Sequence, residues 1–280
     1  MADVILDSII DSVKLIPFLF LTYLVMEYLE HKAGDRMQTA IRGAGKSGPV
    51  IGGVLGIFPQ CGFSTAASNL YAGRIITMGT LVAVFLSTSD EMLPIMISEN
   101  VGLQMIGRIL AVKVVVAVLM GFAVDCIVRR GDKDMQIGHL CEQHHCHCEN
   151  GIWKSALRHT AEIFIYILLI SLILNLLIAW IGEDVLSGVI LNRPVIGTMI
   201  AALIGFIPNC AASVVITQLY LGGMLSAGSM IAGLLSGTGV GFLVLLRVND
   251  DQRENLGLAC LLYVTGVLAG IVIELLGITF

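Results

Sequence analysis

Apolar residues run in blocks too long for the helices of a soluble core, and polar residues gather at the joints between them. The first block predicts a helix from Leu15 to Leu29, with Pro17 near its start, followed by a polar stretch from His31 to Lys46. The next block, Pro49 to Tyr71, is broken near its middle, and Ile75 to Ile97 is broken at residues 86–94. A continuous helix is expected from Val101 to Val128, then a long polar segment over 129–155, then apolar blocks again. Ten helical residues rise only about 15 Å, half the hydrocarbon core. The two arms of Pro49 to Tyr71 therefore suit a re-entrant hairpin with its tip near the midplane. A single broken helix across the whole membrane is the competing arrangement.

The break in that block is written twice. Residues 56–64 read Gly-Ile-Phe-Pro-Gln-Cys-Gly-Phe-Ser and residues 205–213 read Gly-Phe-Ile-Pro-Asn-Cys-Ala-Ala-Ser, 149 positions apart. At the same offset Leu70-Tyr71 meets Leu219-Tyr220, Gly79 meets Gly228, Leu86-Ser87 meets Leu235-Ser236, Gly121 meets Gly270 and Asp125 meets Glu274. The chain is thus an internal duplication, with a first membrane repeat over 1–128, a linker over 129–155 and a second membrane repeat over 156–280. The fold class expected is an all-α polytopic membrane protein. A hairpin gives each half an odd number of crossings, so the two repeats should be inverted relative to each other.

Composition narrows the class. With 56% hydrophobic and 13% charged residues and a mean hydropathy of +0.90, an ordinary soluble domain is excluded. Asp3, Asp7 and Asp11 precede the first block, where a cleavable signal would carry positive charge, so that block reads as a membrane helix. Lys32, Arg36, Arg42 and Lys46 place the first loop in the cytoplasm, as Arg74 and the basic linker do theirs. The N- and C-termini then fall outside, in an inner-membrane protein. Gly43 to Ser47 lacks the first glycine of a phosphate-binding loop, which disfavours ATP-driven transport by this chain alone.

Three sets of polar residues lie in apolar surroundings. Pro59 and Pro208 break the repeated segment, and beside them Gln60, Cys61 and Ser64 stand opposite Asn209, Cys210 and Ser213. If the two tips meet at the pseudo-two-fold axis, sulfurs, amide oxygens and hydroxyls come together and could hold a partly dehydrated cation. Thiolates favour soft metals and metalloids, oxygens harder ions such as manganese. The second set is Ser87 to Glu91, where Asp90 and Glu91 have Gly239 and Val240 as counterparts. A charge at membrane depth costs at least about 2.5–3.5 kcal/mol, so these carboxylates are candidates to bind a divalent cation or carry a coupling proton. The third set, Asp125, Glu274 and Lys113, reads as interface or pairing residues. Cys126 and Cys260 read as small buried core residues, and Gly52-Gly53, Gly222-Gly223 and Gly237 to Gly241 as points of close helix packing. In the linker, His139, Cys141, His144, His145, Cys146, His147 and Cys148 could saturate a tetrahedral metal site, though their spacing matches no zinc-finger template. The bland alternative is a polar loop that takes up metal weakly.

The doubled Pro-Gln-Cys-Gly-Phe-Ser and Pro-Asn-Cys-Ala-Ala-Ser motifs around a His/Cys-rich loop resemble the bacterial ten-helix heavy-metal exporters, whose members include chains labelled as manganese transporters and arsenic-efflux-like permeases. The resemblance implies efflux of a metal or metalloid, with manganese favoured and arsenite second. It carries functional roles to Pro59, Gln60, Cys61 and Ser64 and to Pro208, Asn209, Cys210 and Ser213. No enzyme activity, tightly bound cofactor or nucleic-acid partner is expected; the partners are the metal ion and the bilayer, and a homo-oligomer is compatible. Two other classes compete: a transporter of an organic or anionic solute, and a thiol oxidoreductase cycling Cys61 and Cys210, which belong to no Cys-x-x-Cys pair.

Overall fold

The computed structural model describes residues 47–58, 61–73, 75–89, 92–128, 194–208, 210–249 and 251–280, with isolated helical positions between 10 and 24 and between 153 and 173. Regular structure among the described residues is α-helical. The first half supplies α1 (Gly48–Leu55), α2 (Cys61–Ala72), α3 (Met78–Ser87), α4 (Met92–Ser98) and α5 (Leu103–Val128). The second supplies α6 (Pro194–Gly205), α7 (Cys210–Leu221), α8 (Ala227–Ser236), α9 (Val240–Val248) and α10 (Gln252–Leu275). Shifted by 149 positions, α2 falls on α7 and α3 on α8 residue for residue. The duplication read in the sequence is therefore also a duplication of helix boundaries.

Local chemistry sets those boundaries. Thr77 accepts a hydrogen bond from the amide of Thr80 at 3.1 Å and starts α3; its counterpart Ser226 does the same for Ser229 at 3.2 Å and starts α8. Asp251 caps α10 by accepting from the amides of Arg253 and Glu254, and Pro49 sits in the first turn of α1, where a missing N–H costs nothing.

Four stretches are long and apolar enough to cross a membrane: Met78–Ser98, Leu103–Val128, Ala227–Val248 and Gln252–Leu275. Two of them are broken, α3–α4 and α8–α9, and these occupy the centre. Gly79 to Ser87 in α3 and every residue of α8 are buried. The continuous helices lie outside, with Leu103, Leu119 and Ile127 of α5 and Leu256, Leu268 and Leu275 of α10 exposed. A bilayer demands that order, because interrupted backbone survives at membrane depth only when protein surrounds it.

Small residues let the helices approach closely. A side chain at Gly79 would strike the carbonyl of Gly121, and one at Gly228 the carbonyl of Gly270. The contact Gly79–Gly121 between α3 and α5 is thus repeated at the equivalent positions as Gly228–Gly270 between α8 and α10. Gly48, Gly52 and Gly56, spaced by four, lie against Thr80, Val84 and Ser87 respectively along α3. Since numbers rise together, α1 and α3 run in the same direction. Gly79 opposite Asp125, and Thr88 opposite Lys113, make α3 and α5 antiparallel.

The two halves exchange partners. α2 packs on α9 and α7 packs on α4, so each repeated motif rests against the broken span of the other half. Ser68 of α2 donates to the carbonyl of Gly241 at 2.7 Å. At the other end of the seam the Tyr71 hydroxyl donates to Glu254, just past α9. α2 and α9 therefore also run the same way.

Two sequence expectations are corrected here. Cys126 and Cys260 are exposed: they sit on the outer faces of α5 and α10, where an apolar environment is lipid and not core. Gly223 makes no close helix contact but adopts φ +70°, so it serves the turn after α7, a conformation that side chains disfavour.

Candidate functional site

Where the two broken spans meet, a cavity of about 10 Å³ is lined by Thr88, Ser89 and Met92 of the first span, by Gly233, Leu234, Gly237 and Gly239 of the second, and by Gly205 and Ser213. That volume is close to what one water or one small ion needs. Its walls come from both halves and include Ser213 of the second repeated motif and Thr88 and Ser89 at the break of the first repeat. The sequence singled out these two groups separately; the fold joins them.

The break in the first span is held by its own hydroxyls. Ser87 Oγ donates to the carbonyl of Ala83 at 2.8 Å, Thr88 Oγ1 to Val84 at 2.7 Å and Ser89 Oγ to Ser87 at 3.0 Å. The Ser89 bond satisfies a carbonyl that the end of α3 leaves open, whereas the Val84 carbonyl also accepts from the amide of Thr88 at 3.0 Å. In the second span, Gly237 closes α8 and Gly239 turns the chain at φ 54°, while Ser236 Oγ reaches across to the carbonyl of Ala202 at 2.7 Å. The carbonyl ends of α3, α6 and α8 and the amino end of α9 all reach this cavity.

Lys113 comes from α5 to the same place. Its side chain is fully buried, and its ammonium donates to the backbone carbonyl of Thr88. The expectation that Lys113 pairs with a neighbour is met at the break itself. Asp125, by contrast, is structural: it accepts from Thr77 Oγ1 at 2.9 Å and from the amide of Gly79 at 3.0 Å, and so ties α5 to the start of α3.

Beside the cavity the α2–α9 seam buries a polar stripe of which the sequence reading assigned only Ser64 to the site. Ser64, Thr65, Ser68 and Asn69 are all at most 1% exposed. Their spacing of one and four residues puts them on one helix face, and polarity at that spacing in an apolar segment was the available signal. Ser64 lies against Gly241, where an added Cβ would come within 2.6 Å of the serine Cβ. Thr65 Oγ1 and Thr238 Oγ1 are buried hydroxyls with no hydrogen-bond partner, an expensive condition unless a ligand supplies one. The seam ends in a network at Glu254, which accepts from Tyr71 and from Asn249 Nδ2 at 3.1 Å, while Asn249 and Asn255 exchange bonds at 2.8 and 3.0 Å. At the C-terminal end of α7 the corresponding Tyr220 donates to the carbonyl of Phe280 at 3.2 Å and borders a vestibule of about 380 Å³ with Met105, Glu274 and Thr279.

Of the predicted site residues, Ser64 and Ser213 are therefore in described positions, on the seam and the cavity respectively, and Pro208 directly precedes α7's break. Pro59, Gln60, Asp90, Glu91 and Asn209 lie outside the described residues, as do the side chains of Cys61 and Cys210 and the whole of His139, Cys141, His144, His145, Cys146, His147 and Cys148. Among the described residues no group of three or more His, Cys, Asp or Glu side chains could hold a metal.

The apolar spans around this small polar cavity define a multi-pass membrane protein. A family model described as "Putative, 10TM heavy-metal exporter" matches residues 1–185 of the 280. The chain belongs to this family. The match covers the first repeat and the linker; the second copy of the motif lies beyond it, and is tied to the first by the duplication. No curated protein and no solved structure matches the chain.

Proposed function

We propose that this protein is a secondary exporter of a divalent transition metal, manganese first, whose transit site is the cavity between the two broken spans. The observation that carries the reading is the convergence of Thr88, Ser89 and Ser213 with the carbonyl ends of three helices at one ion-sized space. Hydroxyl and carbonyl oxygens suit a hard cation, and helix carbonyl ends attract positive charge. Thr65 and Thr238 hold further uncommitted hydroxyls nearby in the fold. Cys61 and Cys210 stand at the first residues of α2 and α7, where their sulfurs would extend the donor set towards softer metals.

The reading includes inverted repeats entered by re-entrant hairpins, and packing directions support it. α1 runs alongside α3, and five residues, 73–77, connect α2 to α3. If α2 continued onward from α1, those residues would have to span the length of α2 and much of α3, about 30 Å, against a reach of about 20 Å. α2 therefore turns back antiparallel to α3. Because α9 runs with α2, the second broken span opposes the first. In the inner membrane, with the basic loops in the cytoplasm, the Tyr71–Glu254 network lies on the cytoplasmic side and the Tyr220 vestibule outside.

The test is elemental analysis of cells. A manganese-sensitive host carrying the wild-type chain, Ser213→Val or the Cys61→Ser/Cys210→Ser pair is challenged with manganese, zinc and arsenite in turn, and cell content is read by mass spectrometry. Lower manganese with the wild type but not with Ser213→Val supports the site. Lower arsenite alone, lost in the double cysteine variant, supports a thiol-based metalloid permease instead. No change in any element overturns metal export.

A further inference from the structure

We propose that the Tyr220 vestibule is a second cation site, at which Glu274 holds the exported metal with its water shell after it leaves the cavity. The inference rests on the export reading above. Two segments join the two spaces. α7 gives Ser213 to the cavity and Tyr220 to the vestibule, while α8 gives Gly233 to the cavity and its capping Ser226 to the vestibule. Both pairs are spaced i, i+7, two turns along one helix face, so the spaces lie about 10 Å apart on the same two helices.

The duplication shows that this corner of the fold can be closed. Moved back by 149 positions, Tyr220, Ser226 and Glu274 become Tyr71, Thr77 and Asp125, and Met105 moved forward becomes Glu254. In that equivalent corner Asp125 accepts from Thr77 Oγ1 and from the Gly79 amide, and Tyr71 donates to Glu254. The second half leaves its carboxylate uncommitted. Ser226 Oγ donates to Ser229 Oγ, and Tyr220 to the Phe280 carbonyl. Glu274, one methylene longer than Asp125, places Oε2 over Gly228, 2.5 Å from where a Cβ would stand. Among the described residues it accepts no hydrogen bond and joins no ion pair.

Charge and volume give the occupant. Glu274 stands in the last turn of α10, which carries no basic residue, and no lysine, arginine or histidine lines the vestibule among the described residues. A carboxylate at a helix carbonyl end draws a cation. The cavity, at about 10 Å³, admits only an ion stripped of water, whereas the vestibule measures about 380 Å³. A water takes about 30 Å³, so a six-water shell of about 180 Å³ fits. Hard octahedral cations keep several waters and are held through one or two carboxylates. The hydroxyls of Tyr220, Ser226 and Thr279 line the same space and can bond that shell. A metal that shed its water to enter the cavity regains it here.

The full-length protein, purified in detergent, is titrated with terbium(III), a hard oxygen-seeking cation whose emission is excited through a nearby tyrosine, as wild type, Glu274→Gln, Tyr220→Phe and Asp125→Asn. Wild type should show tyrosine-excited emission that manganese(II) displaces. Tyr220→Phe should lose that emission. Losing even an outer partner of a metal costs about 10–100-fold in affinity, so Glu274→Gln should bind at least about tenfold more weakly. Its thermal midpoint should stay at the wild-type value, because the carboxylate has no bond to lose. Asp125→Asn, whose carboxylate is committed to α3, should bind as wild type does. Emission indifferent to Tyr220→Phe, affinity indifferent to Glu274→Gln, equal loss in Asp125→Asn or a lowered midpoint in Glu274→Gln overturns the site and leaves export standing, as does terbium that manganese cannot displace. In the manganese-sensitive host, cells carrying Glu274→Gln should retain more manganese than wild type; equal export removes the vestibule from the path. Wild-type cells that lower no element overturn the export reading, and with it the exported metal as occupant.

Discussion

Single side chains decide how the interrupted backbone is tolerated. Asp125 accepts two hydrogen bonds at the start of α3, one from a hydroxyl and one from an amide. Truncating it orphans both donors in a buried setting, at a cost of about 1–3 kcal/mol. Asp125→Ala should therefore lower the thermal midpoint of the detergent-purified protein, while Asp125→Asn, which keeps an acceptor, should lose less. Gly241 is a second such point. An alanine there would place its Cβ 2.6 Å from the Ser64 Cβ and 2.8 Å from that residue's backbone carbon, so α2 must move off α9. Overpacking of this kind costs about 1–3 kcal/mol, and Gly241→Ala should also reduce efflux because the seam borders the cavity. Wild-type thermal stability in that variant would show that the contact is looser than the structure has it.

Helices in lipid gain no hydrophobic energy from meeting, so small residues and polar contacts must hold them, each interhelical hydrogen bond contributing about 0.6 kcal/mol. The glycine pairs Gly79–Gly121 and Gly228–Gly270 do this for the outer helices. The α2–α9 seam relies on polar groups instead: Ser68 on the Gly241 carbonyl and the Tyr71–Glu254–Asn249 network at its foot. Removing the tyrosine hydroxyl should open that foot first. Tyr71→Phe is expected to speed hydrogen exchange in the last turn of α2 and in residues 249–255 while exchange in α3 and α8 stays slow. Uniform acceleration across all helices would mean the network stabilises the whole bundle and not the seam. The sequence reading placed the first-half blocks and their breaks; the caps at Pro49, Thr77, Ser226 and Asp251 that set the exact helix starts come from the structure.

At the scale of the molecule, the exchange of motif helices between halves is what makes one site from two repeats. Inverted repeats put equivalent loops on opposite sides, which impermeant thiol reagents can read. With the native cysteines replaced, Asn100→Cys should label from one face of sealed cells and Asp251→Cys only after the membrane is opened. Labelling of both from the same face would require parallel repeats and remove the pseudo-two-fold site.

The amino-acid sequence by itself determined the membrane class, the duplication, the two kinds of break and the positions of both motifs, because each is a matter of local composition and repeated spelling. It also pointed to Ser213 and to the Ser87–Ser89 break as chemistry in apolar surroundings. Only the tertiary structure decided which of these share a cavity, since Ser213 and Thr88 are joined by packing between halves and no local pattern records that. It also decided that Cys126 and Cys260 face outward, because an apolar helix reads alike whether its neighbour is protein or lipid. The same holds for Lys113, whose place in α5 was visible but whose partner, a backbone carbonyl 25 residues earlier in the chain, depended on how α5 folds back against α3.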